Sequence, residues 1–100
     1  MTDALLAARD AVVDETTFVA FLSALADDWQ LEREIERSAP RSPYGRGARG
    51  WENGTIGAFL QAAVEWADSS SAGLPLAGYE APSNPWRRCA NIIYMGKIYE

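Results

Sequence analysis

Apolar residues recur every three or four positions in some stretches of this chain and lose that rhythm in others, and the alternation predicts its elements. Behind Asp3, a residue placed to cap a helix, Leu5, Leu6, Val12 and Val13 recur at helical spacing with Arg9 among them. Val12 and Val13 are β-branched, so where this first segment ends is left open. Asp14 offers a fresh cap, with Glu15 favourably placed in the first turn. Phe18, Phe21, Leu22, Leu25 and Trp29 then step along one face, the strongest periodic signal in the chain. Ala20, Ser23, Ala24, Asp27 and Asp28 read as the opposite, solvated face. The run Glu32-Arg33-Glu34-Ile35-Glu36-Arg37 continues the helix as a charged tail. Its i,i+4 neighbours repel, so it is expected to fray unless something packs on Leu31 and Ile35.

Residues 38–50 carry two prolines and three glycines and read as a long loop. A third helix follows Trp51-Glu52-Asn53-Gly54-Thr55, with Asn53 as the expected cap and Thr55 as the alternative. Its apolar stripe is Ile56, Phe59, Ala63 and Trp66, widened by Leu60 and Ala67. Trp51 is placed to fold back on the first turn. A second loop spans 69–84, where Leu74, Leu76 and Tyr79 are available to pin it. The last helix has the clearest start, with Asn84 as cap and Pro85 at its first position. Trp86, Cys89, Ala90 and Ile93 are its expected buried face, Gly96 its left-handed stop, and Lys97 sits at the negative end of its dipole. The pattern predicts an all-α fold: one domain over residues 1–100, a bundle of three to four helices with two long loops.

Composition narrows the chemistry mostly by exclusion. With 100 residues there is room for one core. No histidine is present, which removes the usual zinc ligands and imidazole bases. A single cysteine, Cys89, cannot form an internal disulfide. No apolar run is long enough to span a membrane, and Met1-Thr2-Asp3 lacks the basic start of a secretion signal, so a cytoplasmic location is expected. The net charge of −5 is uneven: −6 over residues 1–37, +3 over 38–50 and −2 over 51–100. An acidic surface repels nucleic-acid backbones and anionic membranes and attracts a basic partner.

Two blocks resemble a known family. Trp51-Glu52-Asn53-Gly54-Thr55-Ile56, Phe59-Leu60-Gln61-Ala62 and Trp66-Ala67-Asp68 form one. Pro85-Trp86-Arg87-Arg88-Cys89-Ala90-Asn91-Ile92-Ile93-Tyr94-Met95-Gly96-Lys97-Ile98-Tyr99-Glu100 form the other. Together they resemble a family of small bacterial domains of unknown function marked by a W-E-N block and a G-K-I-Y-E ending. The likeness runs over 51–68 and 84–100 and more thinly over 14–30, leaving out the first ten residues and the Arg-Gly loop. It implies a compact, mainly helical bacterial cytoplasmic domain and carries no activity.

The candidate chemistry is sparse. Glu52, Glu65 and Asp68 lie beside tryptophans, where an apolar wall raises a carboxyl pKa toward general-acid use. Glu65 and Asp68 are also i,i+3 neighbours. The competing reading is that all three are solvated or capping groups. Cys89 lacks a base and falls on the apolar stripe, so it reads as a buried small hydrophobe. Asp27, Asp28 and Glu32 lack the Gly-turned spacing of a calcium loop, so no metal is expected. Gly96-Lys97 lies at a helix end, not at the start a phosphate loop needs, and no cofactor is expected. Pro43 to Gly50 resembles arginine-glycine segments that touch RNA, but the whole 38–50 loop holds only three arginines and the body beneath it is acidic.

The leading expectation is a non-catalytic module that binds another protein, one form being an immunity-type protein that blocks a basic toxin domain. Its expected contacts are Asp27, Asp28, Glu32, Glu36, Arg87, Arg88, Tyr94 and Tyr99. The alternative is a small ligand-binding protein or hydrolase using Glu52, Glu65 and Asp68 around a Trp-lined pocket. A third is a homodimer through Leu31 and Ile35.

Overall fold

The computed structural model describes residues 3–38, 49–71 and 79–99. Among them it holds four helices and no strand: α1 (Ala4–Asp10), α2 (Glu15–Ser38), α3 (Ile56–Ser71) and α4 (Pro85–Ile98). The fold is the small all-α bundle that the periodicity predicts. Of the loops expected at 38–50 and 69–84, residues 39–48 and 72–78 lie outside the described residues. Ser38 belongs to α2, and residues 69–71 complete α3.

Side-chain caps set most of the helix starts. Asp3 accepts the Leu5 N–H at 2.9 Å. Asp14 accepts the Thr17 N–H at 2.9 Å, and the Thr17 hydroxyl accepts the N–H groups of Val13 and Asp14. This reciprocal exchange is a capping box in which threonine stands where Glu or Gln is usual. The two hydrogen bonds from Thr17, backbone first and then hydroxyl, hold the Asp14 carboxyl below its ordinary pKa. Asn84 caps α4 by accepting from Trp86 and Arg87, and its amide donates to the Val13 carbonyl, tying the start of α4 to the α1–α2 turn. Thr55 caps α3 through the Ala58 N–H at 3.1 Å.

α2 packs on α1 and α4, and α3 packs chiefly on α4. The buried core is Leu5, Val12, Phe21, Leu25, Trp51 and Ala90, flanked by Phe18, Trp29, Phe59, Trp86, Ile93 and Tyr94. Aromatic rings carry much of it: Trp51 lies 5.0 Å from Trp29 and 5.9 Å from Phe59, and Phe18 lies 5.5 Å from Trp86. Tyr79 is pinned edge-on to Trp66 at 5.0 Å, with the Arg88 guanidinium also 5.0 Å from the Trp66 ring.

Four local expectations need correction. Asn53 does not cap α3. Its amide reaches across to the Gly96 and Tyr99 carbonyls at 3.0 and 2.9 Å, closing the end of α4 instead. Gly96 is no helix stop, because α4 runs on to Ile98. A Cβ there would sit 2.9 Å from the Phe59 carbonyl oxygen, so glycine serves the close approach of α3 to α4. Cys89 is exposed: the side chains that α4 buries, Ala90 and Lys97, lie about a quarter turn from it, while Gly96, nearly in phase with Cys89, is covered locally by Phe59. The stripe of α3 is rotated as well: Ala62, Ala63 and Trp66 are buried, whereas Ile56 is 80% exposed.

Candidate functional site

The buried residues of α2 are Phe21, Leu25, Asp28 and Glu32. Their spacing of four, three and four defines one face, so the two acids continue the core face rather than oppose it. Asp28 is 6% and Lys97 3% exposed. The Lys97 ammonium donates to Asp28 Oδ2 at 2.8 Å, and the Trp51 indole N–H donates to the same oxygen at 2.8 Å. The Arg49 guanidinium donates from Nε to Oδ1 at 3.0 Å. Glu32 accepts the backbone N–H groups of Arg49 and Trp51 at 3.2 and 3.3 Å. The Lys97 carbonyl accepts from the Glu52 N–H at 2.9 Å. Burial alone pushes the Asp28 carboxyl up, but hydrogen bonds from Lys97, Trp51 and Arg49, with the Lys97 charge, bring it below its ordinary value.

This junction explains why the α2 tail stays helical to Ser38. Leu31 is exposed and Ile35 only half-buried. Glu32, receiving two backbone donors, anchors the tail where apolar packing was expected to be required. The junction also gives the W-E-N and G-K-I-Y-E blocks a physical role: Trp51, Asn53 and Lys97 are the pieces that join α2, α3 and α4.

A second feature abuts it. An apolar groove of about 430 Å³ opens between α2 and α3, lined by Leu22, Leu25, Trp29, Trp51, Ile56, Phe59 and Leu60, with Ala26 and the 53–55 turn. No ionisable side chain lines it. Leu22, Ile56 and Leu60 are exposed, and so are Val19 and Val64, one turn further along the same helix faces. The Trp51 ring forms part of the groove while its N–H faces the junction.

The sequence-derived candidates scatter. Asp27 is exposed and Glu36 half-buried, but Asp28 and Glu32 lie inside and offer nothing to a partner. Arg87 braces the α1–α2 turn through the Val12 and Asp10 carbonyls. Arg88 binds the Ala67 carbonyl and the Ser70 and Ser71 hydroxyls, capping the end of α3. Tyr94 is half-buried under the Arg9 guanidinium, and burial raises its pKa. The Tyr99 carbonyl receives Asn53, and its hydroxyl lies 3.5 Å from Ser69. Glu65 and Asp68 are exposed on α3, and Glu52 is half-buried beside Trp51. None of these three carboxylates lines the groove.

Among the described residues no group of three or more Cys, Asp or Glu side chains is placed to hold a metal, and no helix there is long and apolar enough to cross a membrane. Lys97 and Arg49 were missed as junction members. The legible signal was Asp28 and Glu32 falling in phase with Phe21 and Leu25. The open groove was missed because an apolar stripe on α3 reads the same whether it is covered or bare.

No curated protein and no solved structure matches the chain. A family model described as a family of unknown function, DUF7660, matches residues 14–100, and the chain belongs to that family. The match leaves out α1.

Proposed function

We propose that this member of DUF7660 is a non-catalytic binding module of the bacterial cytoplasm that recognises another protein through the α2–α3 groove. The observation that carries the reading is the groove itself. Its walls are apolar, and its rim leaves Leu22, Ile56 and Leu60 in water. A soluble chain keeps such a contiguous apolar surface at the cost of solubility, which a binding role offsets. Outward carboxylates on the flanking helices supply long-range attraction to a basic partner. A toxin domain with a basic face, blocked in the manner of an immunity protein, is one concrete form.

The groove equally fits a small apolar ligand in volume, since ligand pockets span roughly 300–1,000 Å³. The hydrolase form of that second reading has no support from Glu52, Glu65 or Asp68, which stand outside the lining. The test is comparative. Wild-type protein and an Ile56→Asp/Leu60→Asp variant are immobilised and exposed to host lysate at low and high salt. One stoichiometric protein retained at low salt by the wild type and lost by the variant is the expected result. Identical retention by both would remove the groove from the function.

A further inference from the structure

We propose that Asn53 is a site of self-modification, guarded as long as the end of α4 is closed over it. Once that end opens, the Asn53 side chain cyclises onto the Gly54 nitrogen and is hydrolysed to aspartate or isoaspartate. The proposal concerns the junction and stands apart from the protein-binding reading.

The sequence holds three asparagines, and the residue after each separates them. Asn84 precedes Pro85, whose ring nitrogen carries no hydrogen and cannot attack. Asn91 precedes the β-branched Ile92 inside α4, where the backbone is fixed and the nitrogen shielded. Asn53 precedes Gly54, which is exposed and lies outside the helices. With no Cβ beside it, the Gly54 nitrogen is open to attack on Asn53 Cγ.

Water is the one co-reactant. The Gly54 nitrogen gives its proton to hydroxide and bonds to Asn53 Cγ, forming a five-membered ring. The Cγ–Nδ2 bond breaks and the nitrogen leaves as ammonia. Water then adds to one of the two ring carbonyls. Opening on one side leaves aspartate. Opening on the other leaves isoaspartate, in which the main chain runs through the former side-chain carbon.

The guard is the set of hydrogen bonds that holds Asn53 against α4. Its amide donates to the Gly96 and Tyr99 carbonyls at 3.0 and 2.9 Å. The Glu52 and Asn53 N–H groups donate to the Lys97 carbonyl at 2.9 and 3.4 Å. Closing the ring swings Cγ toward the main chain and expels Nδ2, so both amide bonds must break first. The product cannot restore them. A carboxylate at neutral pH only accepts, and here it meets two carbonyls that also only accept. The last carbonyls of α4 are then left without their donor. A molecule that has opened is thereby marked, and the mark is one-way.

Full-length wild type and Gly54→Ala are incubated at mildly alkaline pH, folded and in denaturing urea. Peptide mass spectrometry follows the gain of about 1 Da at each asparagine and separates the two products. A Cβ at Gly54 meets only the Trp29 ring, at 3.9 Å, so this variant keeps the fold. In the wild type, Asn53 is expected to convert at least ~10-fold faster in urea than folded, and at least ~10-fold faster than Asn84 or Asn91. Gly54→Ala in urea should be at least ~10-fold slower than wild type. Equal rates folded and unfolded, equal rates at the three asparagines, or no slowing by Gly54→Ala overturns the proposal. After urea is removed, the converted chain is compared with the unconverted one by hydrogen exchange. The Glu52 and Tyr99 amides, bonded to the Lys97 and Met95 carbonyls, should exchange at least ~10-fold faster. A converted chain that fails to refold supports the one-way mark, and one with native exchange at both amides overturns it.

Discussion

The junction around Asp28 and the groove beside it invert the ordinary distribution of side chains in opposite senses. The junction places a carboxylate, an ammonium and a second carboxylate in the interior, while the groove leaves large apolar side chains in water. Trp51 belongs to both, with its N–H in one and its ring in the other. The comparison separates two demands on a small domain. The junction uses strongly interacting groups to tie the segment before α3 and the end of α4 to the interior of α2, so its polar groups are internally engaged. The groove has a floor of core residues, Leu25 and Trp51, and keeps its rim of Leu22, Ile56 and Leu60 in water. Trp51, Asn53 and Lys97, from the two sequence blocks, therefore hold the architecture, and the open apolar surface is made by plainer residues such as Leu22, Ile56 and Leu60.

The hardest way to break this contrast is to remove one member of the buried pair. Asp28→Ala leaves the buried Lys97 ammonium without its carboxylate and is expected to cost about 3–5 kcal/mol, read from urea unfolding, whereas Lys97→Ala should cost less because Arg49 still pairs with Asp28. The pH dependence follows from the same carboxylate. Its folded pKa lies below the unfolded value, so its stabilisation is complete above the unfolded pKa and is lost as pH falls through the folded one. The stability gap between wild type and Asp28→Asn should stay constant above about pH 4 and narrow below it.

A smaller effect tests the α3–α4 approach. Gly96→Ala must displace Phe59 and is expected to cost about 1–3 kcal/mol in thermal or urea unfolding. Gly57, also helical, has nothing within 4 Å of an added Cβ. Gly57→Ala should therefore stabilise by roughly 0.5–1 kcal/mol through its helix preference alone. The smallest effect sharpens the other half of the contrast. Ile56→Ser and Leu60→Ser, at exposed positions, should each change stability by only about 0.5 kcal/mol or less while weakening partner retention.

Much of the fold was legible in the sequence because caps and periodicity are local. Asp3, Asp14, Asn84 with Pro85, and the Phe21–Leu25 stripe needed only neighbours within a turn or two. What was not legible depended on distant partners. Asn53 has the chemistry of an N-cap, and only the arrival of Gly96 and Tyr99 redirects it to the other end of a different helix. Gly96 has the look of a helix stop, and only Phe59 shows it to be a contact point. Asp28 resembles a surface acid until Lys97, 69 positions on, comes to meet it. Of the candidate site, the negative surface survives in Asp27 and the outward glutamates. The Trp-lined pocket expected around Glu52, Glu65 and Asp68 is not the α2–α3 groove, which none of those carboxylates lines.

The sequence separations within the junction bear on the order in which the chain folds. Asp28 meets Trp51 across 23 positions and Lys97 across 69, while Asn53 meets Tyr99 across 46. These contacts come together only after loops that long have closed, and charged groups give up their water only when the surrounding apolar rings are in place. The junction therefore belongs to the late, native side of the folding barrier. Asp28→Asn should speed unfolding by most of its equilibrium effect and leave the refolding rate nearly unchanged in stopped-flow measurements. On that reading, the pair chiefly sets how long a molecule stays folded once it has arrived.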